Sequence, residues 1–225
     1  MPRIRCWPLL SAVLIAAAVA LGVISTRTTL LEAADQRLSE RLHTNDQGLI
    51  GVLATVFDVV FSPVAGLVIA AVLVGGLALA RRVPQAVQSG AVLLIGWLSA
   101  AVIKRIIARP RPEYAVQSGD SFPSGHTALA TALLITVCLL LRRSSRDVQD
   151  TVVICGVLAL VGVGFARATI GAHYFSDTVG AVLWTGGVCV AVIGMWPHLE
   201  RFLPVWARAD SGPDRSAGPA RSLPG

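Results

Sequence analysis

The chain is poor in charge and nearly free of lysine. Asp, Glu, Lys and Arg make up only 14% of its 225 residues, and Lys104 is the single lysine. Aromatic residues are also scarce, at 6%. So little charge beside 54% apolar residues excludes an ordinary water-soluble domain. No internal repeat, P-loop, Gly-x-Gly-x-x-Gly stretch or metal-ligand cluster is present. The four cysteines, Cys6, Cys138, Cys155 and Cys189, lie in or beside apolar runs with no ligand spacing. They read as small packing residues, not as disulfides.

What the chain does have is long apolar runs. A membrane helix needs about 20 mostly apolar residues. Six stretches qualify or nearly do: roughly 7–25, 51–80, 86–106, 126–141, 150–168 and 178–197. The reading is an all-α, polytopic membrane protein with six transmembrane helices. The second stretch exceeds a span's length, so either Pro63 kinks it or its first turns lie at the interface. The first has signal-peptide features, but its apolar part is long for one, and it is read as a retained span.

Arginine placement orients the spans. One side holds the N-terminus, the turns at Arg81–Arg82 and Arg142–Arg146, and the tail, with eleven arginines against five acids. The other side balances at eight basic and eight acidic residues. Positive charge stays inside, so both termini are expected in the cytoplasm. Residues 1–50 then comprise the first span and an outer loop, 51–197 a core of five spans, and 198–225 a cytoplasmic tail. The end of that tail, 207–225, is rich in Pro, Gly, Ser and Arg and is expected to be disordered. In the outer loop, Leu31, Ala34, Leu38 and Leu42 share a helical face, and Thr29 and Glu32 have capping-box spacing. This helix lies either on the membrane or on the protein's own outer surface. Asp58 is expected near the outer interface, solvated or paired. His43 and His198 read as incidental residues without partners.

Five of the eight outer basic residues crowd into Lys104–Arg111 and Arg167. Charge on the disfavoured side needs a reason. Pro110 and Pro112 stiffen the loop that carries Arg109 and Arg111, and such a cluster suits a phosphate oxyanion. Pro123-Ser124-Gly125-His126 follows at the start of the next helix, where free N–H groups favour an anion. The same segment could also be a plain helix cap at Ser124. Between the fifth and sixth spans come Arg167, His173 and Asp177. The last two are four apart, so at a helix start they share a face. A carboxylate bonded to one imidazole nitrogen makes the other a better nucleophile.

These pieces, in this order, resemble the type 2 phosphatidic acid phosphatase family, to which vanadium haloperoxidases are related. The family's motifs are Lys-x6-Arg-Pro, Pro-Ser-Gly-His and Ser-Arg-x5-His-x3-Asp. They correspond to Lys104 with Arg111-Pro112, to Pro123–His126, and to Arg167, His173 and Asp177, with Ala166 in place of the usual serine. The likeness covers roughly residues 50–197. It implies a bacterial plasma-membrane enzyme with its site on the outer face. It also implies a lipid phosphatase that needs no metal or other cofactor and hydrolyses polyprenyl pyrophosphate, phosphatidic acid or phosphatidylglycerol phosphate. On this likeness His173 is the nucleophile that forms a phosphohistidine, and Asp177 orients it. His126 is the acid and then the base. Lys104, Arg111, Ser124, Gly125 and Arg167 hold the phosphate. Ala166 implies lost hydrogen bonding and lower activity, not inactivity. The partners expected are a lipid substrate and the bilayer, with no nucleic acid. Phosphotransfer from His173 to another acceptor uses the same residues, and a non-catalytic lipid-binding role is the reading from another class.

Overall fold

The computed structural model describes residues 6–43, 48–113 and 115–204. All regular structure among them is helical: α1 (Trp7–Arg27), α2 (Thr29–Leu42), α3 (Leu49–Val60), α4 (Pro63–Leu79), α5 (Val83–Ile107), α6 (Gly125–Leu140), α7 (Arg146–Thr169) and α8 (Phe175–Leu199). A short 3-10 turn, Glu200–Phe202, follows α8. The tail expected to be disordered, 207–225, lies outside the described residues.

Four helices, α1, α5, α7 and α8, are long and apolar enough to cross a membrane. The overlong stretch, expected either to kink at Pro63 or to begin at the interface, forms two helices, α3 and α4, bent by 52°. Pro63 begins α4 rather than kinking a continuous helix. Its missing N–H costs nothing in a first turn, and Ser62 caps that turn by accepting from the Ala65 N–H. Counted as one span, the pair makes five. α6 has 16 residues, about 24 Å at 1.5 Å per residue, which is short of a full hydrocarbon core.

The core lies between α5, α6 and α8, where Val92, Leu93, Trp97, Leu129, Ala132, Ala181 and Cys189 are buried together. Small residues let these helices approach closely. A Cβ on Gly96 would sit 2.5 Å from Cys189 Sγ, and one on Gly66 would sit 2.6 Å from Leu129. α1 packs along α8, where Gly187 and Gly194 receive Ile15 and Trp7. Ser11 Oγ donates to Gly187 O at 2.9 Å across that contact. The outward faces of α4 and α7 stay greasy: Leu67, Val68, Val72, Ile154, Leu158 and Val161 are exposed. Apolar surface on that scale marks a membrane or protein contact face. No disulfide forms: Cys189 is in the core, Cys138 is half-buried, and Cys6 and Cys155 are exposed.

α2 does not pack on the protein through the centre of its apolar face. Asp35 and Ser39 are its buried residues, while Ala34 and Leu38 are exposed. It rests on the protein through a polar stripe. The expected Thr29–Glu32 capping box is absent as well, because the helix starts one residue earlier than that spacing requires, with Thr28 at the cap and no side-chain cap bond.

Phe122 anchors the segment ahead of α6. It is fully buried between Gly22 of α1 and Gly180 of α8, and its bond to Pro123 is cis. A Cβ on Gly180 would lie 2.2 Å from the Phe122 ring. Gly180→Val should therefore destabilise the protein by about 1–3 kcal/mol. Gly75→Val, where a Cβ meets nothing within 4 Å, should be close to neutral. Thermal unfolding of both variants in detergent tests the difference, and equal melting temperatures would refute it.

Candidate active site

The C-terminal ends of α5 and α7 and the N-terminal ends of α6 and α8 meet at one end of the bundle. The chain bonds holding them there join the sequence motifs to one another. Ser124 N–H donates to Asp177 O at 3.1 Å, and Ser121 N–H donates to Arg109 O at 2.7 Å. Arg111 Nη1 donates to Ala172 O at 2.6 Å. Lys104, in the last turn of α5, donates to the Asp120 and Ser121 carbonyls at 3.1 and 2.9 Å. All eight residues singled out from the sequence, Lys104, Arg111, Ser124, Gly125, His126, Arg167, His173 and Asp177, are at this end.

His173 precedes α8 rather than riding on it, so the expected shared helical face is not what pairs it with Asp177. The chain turns at Gly171 (φ +71°), and the Ala172 and His173 N–H groups return to Arg167 O. Asp177, in the first turn of α8, reaches back. Its Oδ2 accepts from Tyr174 N–H at 3.0 Å and lies 3.3 Å from His173 Nδ1. Arg111 Nη1 stands 3.4 Å from the other ring nitrogen, Nε2. A guanidinium has only donors. Nε2 must therefore be the acceptor, which places the ring proton on Nδ1, facing Asp177. The tautomer is the one a nitrogen nucleophile at Nε2 requires.

Burial dominates the acidity of His173. Removal from water pushes its imidazole from 6.5 down to about 3, Asp177 opposes the shift, and Arg167 and Lys104 add to it. The folded ring is thus neutral across the physiological range. An unfolded chain takes up a proton on this residue near pH 6.5, so the stability tied to the neutral ring is complete above that pH and declines as pH falls toward 3. In an NMR titration the His173 ring should stay unprotonated from about pH 5 to 8. A midpoint near 6.5 would contradict this burial.

Ser124 occupies the cap position of α6 and is fully buried, but its side chain makes no capping bond. It accepts from Thr127 Oγ1 at 3.2 Å instead. The plain-cap alternative therefore does not account for it. A Cβ on Gly125 would meet nothing within 4 Å, so the helix start is open to close approach. His126 Nε2 lies 3.2 Å from Asp58 Oδ1, and Arg167 Nη1 bonds the same oxygen. Ala166, at the departure from the serine pattern, is buried.

The basic cluster does not act as one unit. Arg105 is exposed outside the site. Arg109 turns inward and is 2% exposed. Its Nη1 donates to Asp177 Oδ1 at 2.8 Å and to Ser176 Oγ at 2.7 Å, and its Nη2 donates to Asp35 Oδ2 at 2.8 Å. Ser176 also bonds Asp35, through both its hydroxyl and its N–H. Tyr174 lies under the guanidinium at 4.2 Å and donates to Gln36 Oε1. Asp35 and Ser176 are not legible in the sequence as site residues, Arg109 is legible only as a member of the phosphate-suited basic cluster, and Asp58 only as a boundary carboxylate. Neither excluded histidine is alone: His43 Nδ1 donates to Thr169 O at 3.1 Å, and Arg201 bonds His198 Nδ1 at 2.7 Å. Among the described residues, no three His, Cys, Asp or Glu side chains converge as metal ligands.

Arg109→Ala would leave two buried carboxylates facing each other without their cation. A loss of about 3–5 kcal/mol is expected, as for other broken buried pairs. Unfolding in detergent measures it, and a change below about 1 kcal/mol would mean that the pair contributes little.

A family model for the PAP2 superfamily matches residues 85–201. Comparison with curated proteins gives no match. Among solved structures, the chain resembles a transmembrane PAP2 type phosphatidylglycerolphosphate phosphatase from Bacillus subtilis, at 22% identity and a TM-score of 0.72. The likeness covers 86% of this chain and 98% of that one.

Proposed function

Because the chain belongs to the PAP2 superfamily, we propose that it is an integral-membrane lipid phosphatase working through a phosphohistidine. The observation that carries this reading is His173, with Asp177 on Nδ1 and Arg111 beside Nε2.

In the first step His173 Nε2 attacks phosphorus and the bond to the lipid oxygen breaks. His126 gives that oxygen its proton. In the second step His126 takes a proton from water, the water oxygen bonds phosphorus, and the N–P bond breaks to free His173 and phosphate. Lys104, Arg111 and Arg167, with Ser124 and the N–H groups at the start of α6, hold the phosphoryl oxygens. The imidazole becomes cationic when Nε2 bonds phosphorus. One Arg109 cannot cancel both Asp35 and Asp177, so a net negative charge remains on the Nδ1 side to stabilise that ring. Side-chain cations supply the charge stabilisation, and the reading requires no metal.

Six spans fit the bundle when α3 with α4 counts as one and α6 sits slightly below the membrane surface. Consecutive spans then alternate in direction. The site falls at the end opposite the Arg81–Arg82 and Arg142–Arg146 turns, hence on the outer face. The bilayer would be a bacterial plasma membrane, with both termini in the cytoplasm. The substrate offered first is phosphatidylglycerol phosphate, the class named for the structural neighbour. Polyprenyl pyrophosphate and phosphatidic acid come next.

Detergent-purified protein should release phosphate from one of these lipids with chelator present, and His173→Ala should lose at least about a thousandfold. Undiminished release from His173→Ala would remove the phosphohistidine. Lipid consumption without free phosphate would move the reading to phosphotransfer.

A further inference from the structure

One oxygen of Asp58 bonds two groups that the phosphatase reading assigns to substrate. Its Oδ1 accepts from Arg167 Nη1 and lies 3.2 Å from His126 Nε2. We propose that Asp58 is a specificity-determining residue, a carboxylate that holds the phosphate-binding groups until an anion of higher charge displaces it. The inference rests on the lipid-phosphatase reading and names the substrate charge that reading leaves open.

The two partners are unequally fixed. The Arg167 side chain is 4% exposed and that of Asp58 is 33% exposed. The cation is therefore set in the protein, and the carboxylate faces the open side. Asp58 belongs to α3, which the break at Phe61 and Ser62 separates from α4, so its withdrawal does not require α4 to move. The carboxylate also leaves bonds unmade. Arg167 Nε is buried without a hydrogen-bond partner. A phosphoryl group brings more acceptor oxygens than a carboxylate and is better matched to a guanidinium fork.

Charge decides which anions can compete. Every ordinary phospholipid headgroup around the site is a phosphodiester with one negative charge. A terminal phosphate carries close to two at neutral pH. A cationic pocket at a membrane surface would otherwise fill with the abundant diesters. Asp58 matches a diester charge for charge and, being tethered, has the advantage of high local concentration. A diester gains little by displacing it. A monoester or pyrophosphate brings extra charge to Lys104, Arg111 and Arg167.

The competing role is a permanent partnership with His126, like that of Asp177 with His173. Calorimetry on the full chain in uncharged detergent separates the two roles, with inorganic phosphate and dihexanoyl phosphatidylglycerol as probes at pH 8. Wild type should strongly prefer phosphate. Asp58→Asn should bind the diester more tightly, lowering the preference by about tenfold or more. Asp58→Glu, which keeps the anion, should retain most of the preference. Asp58→Ala replaces Asp58→Asn in the comparison if the latter does not fold. An unchanged preference in the charge-free variant would overturn the proposal, and a fall in kcat alone would assign Asp58 to His126. Absence of phosphate release by wild type from every lipid would refute the phosphatase reading instead, and the binding preference would still judge Asp58.

Discussion

The guanidinium of Arg109 lies out of water between two carboxylates, Asp35 from α2 and Asp177 from α8. Burying three charges is costly unless every donor and acceptor is used. Here they are used closely. Arg109 also bonds Ser176 and covers the Tyr174 ring, Ser176 bonds Asp35, and Asp177 takes the Tyr174 N–H. The outcome is a fixed Asp177 whose second oxygen faces His173. Because Arg111 is only two residues beyond Arg109, the same clamp positions the loop that brings Arg111 to His173 Nε2. The placement of the chemistry follows from this one buried cation.

The sequence showed most of the fold through composition. Runs of apolar residues locate the membrane-sized helices because lipid allows no other backbone solution on that scale. It was less informative at α3 and α4. Hydropathy has no term for a helix break, and a proline at a first turn and a proline inside a helix look alike in a window of apolar residues. The eight motif residues could be picked out together because they lie in three short segments, and the structure brings those segments to one end of the bundle. Asp35, Ser176 and the inward pairing of Arg109 could not, since that pairing joins residues 67 to 141 positions apart. Asp35 was further hidden by Leu31, Ala34, Leu38 and Leu42, which form a convincing apolar face on α2. The buried face is polar because it meets Arg109.

The two histidines have different settings. His173 is almost fully buried, and its two nitrogens are assigned by Asp177 and Arg111. The His126 side chain is 15% exposed, and its partner, Asp58, is more exposed still. In the proposed mechanism the attacking His173 is thus preorganised, while His126, which handles the proton, has access to water. That division suits a reaction in which one nitrogen must hold its line to phosphorus and the other must exchange a proton.

The pairing of the first described helix with the last has a consequence for how the chain is made. α1 packs along α8, and Asp35 finds Arg109 only in company with Ser176 and Asp177 at the start of α8. During synthesis, spans enter the bilayer from the N-terminus onward. Until α8 has been inserted, α1 lacks its partner face, and Asp35 and Arg109 lack the residues that complete their network. The early helices must wait in the lipid, partly assembled and with unmatched charge near its boundary, for the last span to close the bundle. A chain interrupted before α8 would keep most of its apolar mass and still lack its structural closure and the Ser176 and Asp177 side chains that complete the Arg109 network, which leaves it a ready target for membrane quality control.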